Sequence, residues 1–165
     1  MIDRALRARA VQVLKAFRAR GLKLATAESC TGGLVAGALT EIARSSDVVD
    51  RGFVTYSNAA KEAMLDVPAA TLKRHGAVSA QTAAAMAAGA LKHSEADITV
   101  AITGIAGPGG GSKQKPVGLV HFAAASRDGR RLTLHRRFGK IGRRRVRERS
   151  VAEALALLRL MVERD

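Results

Sequence analysis

LKLATAESCTGGLVAGALTEIA, residues 22–43, is the stretch whose reading decides the fold. A short apolar run, Leu22 to Ala27, gives way to Ser29-Cys30-Thr31-Gly32-Gly33, and apolar residues then resume at helical spacing. That is a strand, a tight turn and a helix. Downstream, Phe53 to Ser57 (FVTYS) alternates and is rich in β-branched and aromatic residues, which predicts a second strand, followed by a helical NAAKEAML and a break near Pro68. Ser79 has the side-chain oxygen of an N-cap, opening a helix through the alanines to about His93, and Asp97 to Gly104 (DITVAITG) is a buried strand running into GIAGPGGGSKQKP. VGLVHFAAA and RLTLHRRF, joined at Asp128-Gly129, form a hairpin. Upstream, Ile2, Leu6, Val13, Leu14 and Phe17 form one face of a helix ending at Gly21. At the other end, Arg143 to Arg164 returns to a helix with Val146, Val151, Ala154, Leu157, Leu158 and Met161 inward. Strands alternating with helices predict a single α/β domain over residues 1–165, three layers deep, with a mixed sheet because the late hairpin is antiparallel.

Composition narrows the function. The 28 Lys and Arg against 14 Asp and Glu leave a net +14, which points to an anionic partner, yet 3% aromatic content leaves little for stacking on bases. The excess sits at the ends: residues 1–23 carry seven bases and one acid and residues 127–149 eleven and two, whereas residues 24–126 balance eight against eight. Nucleic acid is therefore the second choice as a partner, behind a small anionic molecule. The single cysteine, Cys30, cannot form an internal disulfide, and no Cys and His cluster has metal-ligand spacing, so a reducing, cytoplasmic setting without structural metal is expected. The charged amino terminus lacks the apolar core of a signal peptide, and no uninterrupted apolar run reaches membrane-spanning length.

Three strand ends carry polar or glycine-rich sequence, matching the rule that open α/β sheets bind ligands beyond the carboxyl ends of their strands. At the first, the Ser29 turn suits an oxyanion or phosphate at a helix terminus, or is an ordinary capped turn. Cys30 is either a rival nucleophile or a small buried hydrophobe. At the second, Tyr56 and Lys61 could face Ser29, where a lysine of depressed pKa serves as base without histidine, or they are a strand aromatic and a solvated helix residue. At the third, Thr103 to Ser112 has enough glycine for close backbone approach to a ligand, or is an exposed loop; it is neither a Walker A motif nor a dinucleotide fingerprint. The histidines, His75, His93, His121 and His135, fall in separate segments and read as ordinary residues.

TAESCTGG, GFVTYSNAAK, HGAVS and ITGIAGPGGGS with KPVG resemble the CinA carboxy-terminal domain family, from about Leu6 to Met161. Its characterised members are nicotinamide-nucleotide amidases, and 165 residues match the form without a second, pyrophosphatase-like domain. The resemblance implies hydrolysis of nicotinamide mononucleotide to nicotinic acid mononucleotide and ammonia, with no cofactor and no metal. It places the catalytic serine, tyrosine and lysine on Ser29, Tyr56 and Lys61, with Lys61 removing the Ser29 proton either directly or by relay through the Tyr56 hydroxyl. Substrate binding then falls to Cys30, Thr31, Gly32 and Gly33, to Ser57 and Asn58, to Thr103, Gly104, Ile105, Ala106 and Gly107, and to Arg143. Where the family commonly reads Gly-Asp-Arg before the last helix, this chain reads Ile141-Gly142-Arg143, so Arg143, or else Arg144 or Arg145, is expected at the substrate phosphate. The alternative is a basic nucleic-acid- or protein-binding module, in line with the family's association with competence and DNA damage. A homo-oligomer is expected if the Ala-rich helix from Ser79 presents a small-residue surface, unless the same alanines serve close packing on the sheet.

Overall fold

In the computed structural model, which describes residues 2–163, β1 (Leu24–Glu28) forms the middle of the parallel part of a five-stranded sheet. It pairs in parallel with β2 (Val49–Val54) and with β3 (Ile98–Gly104); β3 pairs antiparallel with β4 (Leu119–Ser126), and β4 with β5 (Arg131–Arg137). The order is β2-β1-β3-β4-β5, a mixed sheet with the expected hairpin at one edge. Every residue of β1 is buried, which is why its sequence shows no in–out alternation, and its two polar side chains, Thr26 and Glu28, are hydrogen-bonded within the chain.

Helices cover both faces, completing the three layers. On one side α1 (Arg4–Arg20), α2 (Leu34–Thr40) and α6 (Arg143–Glu163) enclose Phe17, Leu39, Phe122, Leu155 and Leu158. The first helix stops at Gly21, whose φ of 64° suits the left-handed cap that glycine adopts at little cost. On the other side α3 (Asn58–Leu65), α4 (Ala69–His75) and α5 (Ala80–Lys92) pack over Ala101 and Ala123 through Leu65, Leu72 and Met86. Ala83, Ala87 and Ala90 of α5 are buried on this side, and a Cβ at Gly89 would stand 1.9 Å from the Leu65 carbonyl oxygen. The small residues thus bring α5 down onto the sheet and α3. The expected end of the last helix at Arg164 lies outside the described residues.

Two elements depart from expectation. The second strand runs Val49–Val54 and not Phe53–Ser57: Thr55 still donates its N–H to the Glu28 carbonyl (2.8 Å), but Ser57 has already become the N-cap of α3. Asp50-Arg51-Gly52 hides this strand from a propensity reading, and its place at the sheet edge tolerates those polar residues. The short α4 went unread because Pro68 marks a break while also fixing the backbone at this helix's N-cap. No helix among the described residues is long and apolar enough to cross a membrane.

Candidate active site

The parallel strands β1 and β3 end side by side, and Ser29, one residue past β1, extends the ladder by donating its N–H to the Ile102 carbonyl (2.9 Å). The chain then turns through Gly32 and Gly33, both at positive φ (58° and 97°), into α2. Lys61 approaches from α3. Ser57 caps that helix by accepting from the Ala60 N–H (3.0 Å), so Lys61 follows the first turn, and helical side chains lean toward the amino terminus of their helix. Its Nζ reaches the Thr55 carbonyl at 2.8 Å and the Tyr56 carbonyl at 3.5 Å, and stands 3.1 Å from Ser29 Oγ. Lys61 has no exposed surface (0%), and desolvation pushes its pKa below the usual lysine value. The amine held this way donates to the two carbonyls and meets the Ser29 hydroxyl with its remaining direction, and only in its neutral form would a lone pair there accept the Ser29 proton.

Cys30 lies beside the pair and is buried; burial, the dominant influence, pushes its thiol up to about 12, the opposite of an activated thiolate. The positive end of α2 is already occupied. Glu28, fully buried at the end of β1, accepts from the N–H groups of Val35 (2.8 Å) and Ala36 (3.0 Å), and Thr26 adds a hydroxyl donor at 3.3 Å. A carboxylate of the chain itself therefore satisfies that terminus, where the sequence had suggested room for a bound anion. The Gly32 N–H is also committed, to the Ser29 carbonyl (3.0 Å), whereas the Cys30 and Thr31 N–H groups have no backbone acceptor among the described residues.

Ser29, Cys30, Tyr56, Lys61 and Arg143 share a cavity of about 300 Å³ with Thr103, Gly104, Ile105, Ala106 and Gly107. Thr31, Gly32, Gly33, Ser57 and Asn58 do not line it; the glycines shape the turn behind Ser29, and Ser57 serves its helix. Thr103 donates to the Ala77 carbonyl (2.7 Å), and a Cβ at Gly104 or Gly107 would strike Val120 or Val117, so these positions need small residues for packing within the chain. Arg143, the first residue of α6, donates to the Gly107 carbonyl and to the Tyr56 hydroxyl, both at 2.9 Å. Arg144 pairs with Glu148, and neither it nor Arg145 lines the cavity. Sequence reasoning missed Arg147, one helical turn beyond Arg143, which donates to the carbonyls of Cys30 (3.1 Å) and Thr31 (3.2 Å) and ties the Ser29 turn to α6. The i, i+4 spacing of the two arginines was the available signal.

A three-layer α/β domain that buries a serine–lysine pair at the carboxyl ends of its parallel strands is built for nucleophilic chemistry without histidine. The CinA C-terminal domain family model matches residues 6–162, and the chain belongs to that family. It is 50% identical over 158 residues to the nicotinamide-nucleotide amidohydrolase PncC of Escherichia coli K12, covering 96% of this chain and 95% of that protein. A CinA-like protein of Synechococcus sp. RCC307 is 54% identical over 151 residues, which is 91% of this chain but 36% of that longer protein. The crystal structure of the competence/damage inducible protein CihA from Agrobacterium tumefaciens superposes with a TM-score of 0.96 at 53% identity, covering 99% of both chains.

Proposed function

We propose that this protein hydrolyses the carboxamide of nicotinamide mononucleotide, releasing ammonia and nicotinic acid mononucleotide, with Ser29 as nucleophile and Lys61 as its base. The observation that carries the reading is the 3.1 Å approach of the buried Lys61 Nζ to Ser29 Oγ; it is supported by the amidohydrolase name of relatives that this chain matches over nearly their full length. Lys61 takes the Ser29 proton as Oγ bonds to the amide carbon. The tetrahedral oxyanion draws on the N–H groups of Cys30 and Thr31, neither of which has a backbone acceptor among the described residues, an interaction that in other hydrolases contributes on the order of 3 kcal/mol. The C–N bond then breaks, Lys61 delivers its proton to the leaving ammonia, and a nicotinoyl ester remains on Ser29. Water attacks the ester, Lys61 accepts its proton and returns it to Ser29 Oγ, and the acid leaves. Tyr56, Arg143 and Gly104 to Gly107 bound the substrate at the cavity wall. With Cys30 unpaired, the reducing cytoplasm is the setting in which we place the reaction.

Ammonia release from nicotinamide mononucleotide tests this directly. The wild-type protein turns over, and Ser29→Ala and Lys61→Ala each lose at least about 10³-fold in kcat, the scale on which nucleophile and base removal act in serine hydrolases. Undiminished turnover in either variant removes that residue from the mechanism.

A further inference from the structure

Beyond Thr103, the same face of the sheet carries a second cavity, of about 450 Å³, under the amino-terminal end of α5. The strand register places it. Ser29 follows the Glu28–Ile102 pair, so it stands beside Thr103; Thr103 is opposite His121, and His121 is opposite His135. These four positions form a row across β1, β3, β4 and β5, which puts His121 two strand spacings, about 10 Å, from the serine. Val78 lines both cavities. The lining is strongly basic: Arg74, Lys115 and Arg137 join the two imidazoles, whose ring centroids are 5.5 Å apart, and Ser79, Gln81 and Gln114 add hydroxyl and amide groups. Among the described residues no carboxylate lines this cavity, and neither Arg74 nor Arg137 forms an ion pair. Positive charge gathered in a concavity without a counter-charge repels itself and focuses an attractive field on anions. Burial, the larger cause, together with the charges of His135, Lys115 and Arg137, holds His121 below its ordinary pKa.

We propose that this cavity, and not the Arg143 wall where the resemblance places the substrate phosphate, is a phosphate-binding subsite, formed by Arg74, Lys115, His121, His135 and Arg137, that holds a phosphomonoester whose reacting group lies at Ser29. The assignment of that phosphate to the substrate rests on the amidase reading; the anion site itself does not. A mononucleotide lying along the row presents its carboxamide to Ser29 and Lys61, with its sugar over Thr103 and Val78. The two phosphate sources, the substrate itself and a separate phosphorylated effector, share one chemistry.

The experiment titrates inorganic phosphate, and separately nicotinamide mononucleotide, into the Ser29→Ala protein while following the imidazole resonances of His121 and His135 by NMR. Both ligands shift these resonances, and Arg137→Ala combined with Arg74→Ala weakens the response at least about tenfold. In the active protein the same double variant raises KM for the mononucleotide by a similar factor, with kcat unchanged and with no change toward the nucleoside lacking phosphate. Histidine shifts without a KM change assign the site to an effector and keep it as a phosphate site. Absence of any shift with either ligand overturns the proposal even if the protein proves to be an amidase, and shifts without amidase turnover sustain the site while the amidase reading falls.

Discussion

Arg143 donates to the hydroxyl of Tyr56 at 2.9 Å, joining the first residue of α6 to the segment that leads out of β2. The phenol oxygen is thereby an acceptor at the cavity mouth, while the amine that faces Ser29 belongs to Lys61. Tyr56 is 61% exposed, and its ring forms a wall against which a positively charged pyridinium can rest by cation–π attraction. Tyr56→Phe, which keeps the ring, should hold kcat for nicotinamide mononucleotide within about threefold, whereas Tyr56→Ala should raise KM by about fivefold, matching a contact of roughly 1 kcal/mol. Steady-state kinetics of the two variants decide the matter: a collapse of kcat in Tyr56→Phe equal to that of Lys61→Ala would assign the proton relay to the hydroxyl.

Burial lowers the pKa of Lys61, and this sets the pH behaviour. The base must be neutral to accept the Ser29 proton, so kcat/KM should rise with pH and level off at an apparent pKa below the ordinary lysine value of about 10.4. Stability follows the same sign. A group whose folded pKa lies below its unfolded one contributes fully above the unfolded value and loses that contribution as pH falls through the folded value. The stability of wild type relative to Lys61→Met should therefore increase as pH is raised through the alkaline range up to about 10, as measured by denaturant unfolding at a series of pH values. A constant difference across that range would show that Lys61 titrates normally.

Arg147 touches the turn from behind, through the carbonyls of Cys30 and Thr31, and acts on the reaction by positioning Ser29 and the adjacent N–H groups. Arg147→Ala should lower kcat by about ten- to a hundredfold with little change in KM, because small misplacement of a reacting group is costly in rate. Arg147→Lys should recover part of the loss by restoring one donor. Equal damage to kcat and KM in both variants, accompanied by a lowered Tm, would mark the residue as merely structural.

The layer architecture was legible in the sequence because period and punctuation agree: the buried run at Leu24–Glu28, the Ser57 and Ser79 caps, and the Asp128-Gly129 turn each specify local geometry through local chemistry. β2 begins four residues and ends three residues before the expected strand because an edge strand takes its hydrogen bonds from β1, a neighbour that propensity cannot see. The approach of Lys61 to Ser29 joins residues 32 positions apart, and the motif resemblance, more than any spacing, brought the two together beforehand. Glu28 reads as one polar residue in a turn motif; only the fold reveals it as the cap of α2. The His121–His135 pair was likewise hidden, since residues 14 apart become neighbours only when β4 and β5 fix their register.

The hydroxyls of Thr31 and Thr55 are fully buried and have no hydrogen-bond partner among the described residues. A buried polar group left unpaired costs on the order of 1–3 kcal/mol, and valine matches threonine in shape while removing that cost. Each residue serves its neighbourhood through its backbone: the Thr31 carbonyl accepts from Arg147, and the Thr55 carbonyl accepts from Lys61. Thr31→Val and Thr55→Val should therefore each stabilise the protein by about 1 kcal/mol and raise Tm by about 2–4 °C in a domain of this size. Calorimetry reads the gain, and amidase assays separate two roles: a variant that gains stability and keeps kcat had an idle hydroxyl, whereas a gain in Tm bought with a loss of kcat places that hydroxyl on the reaction path.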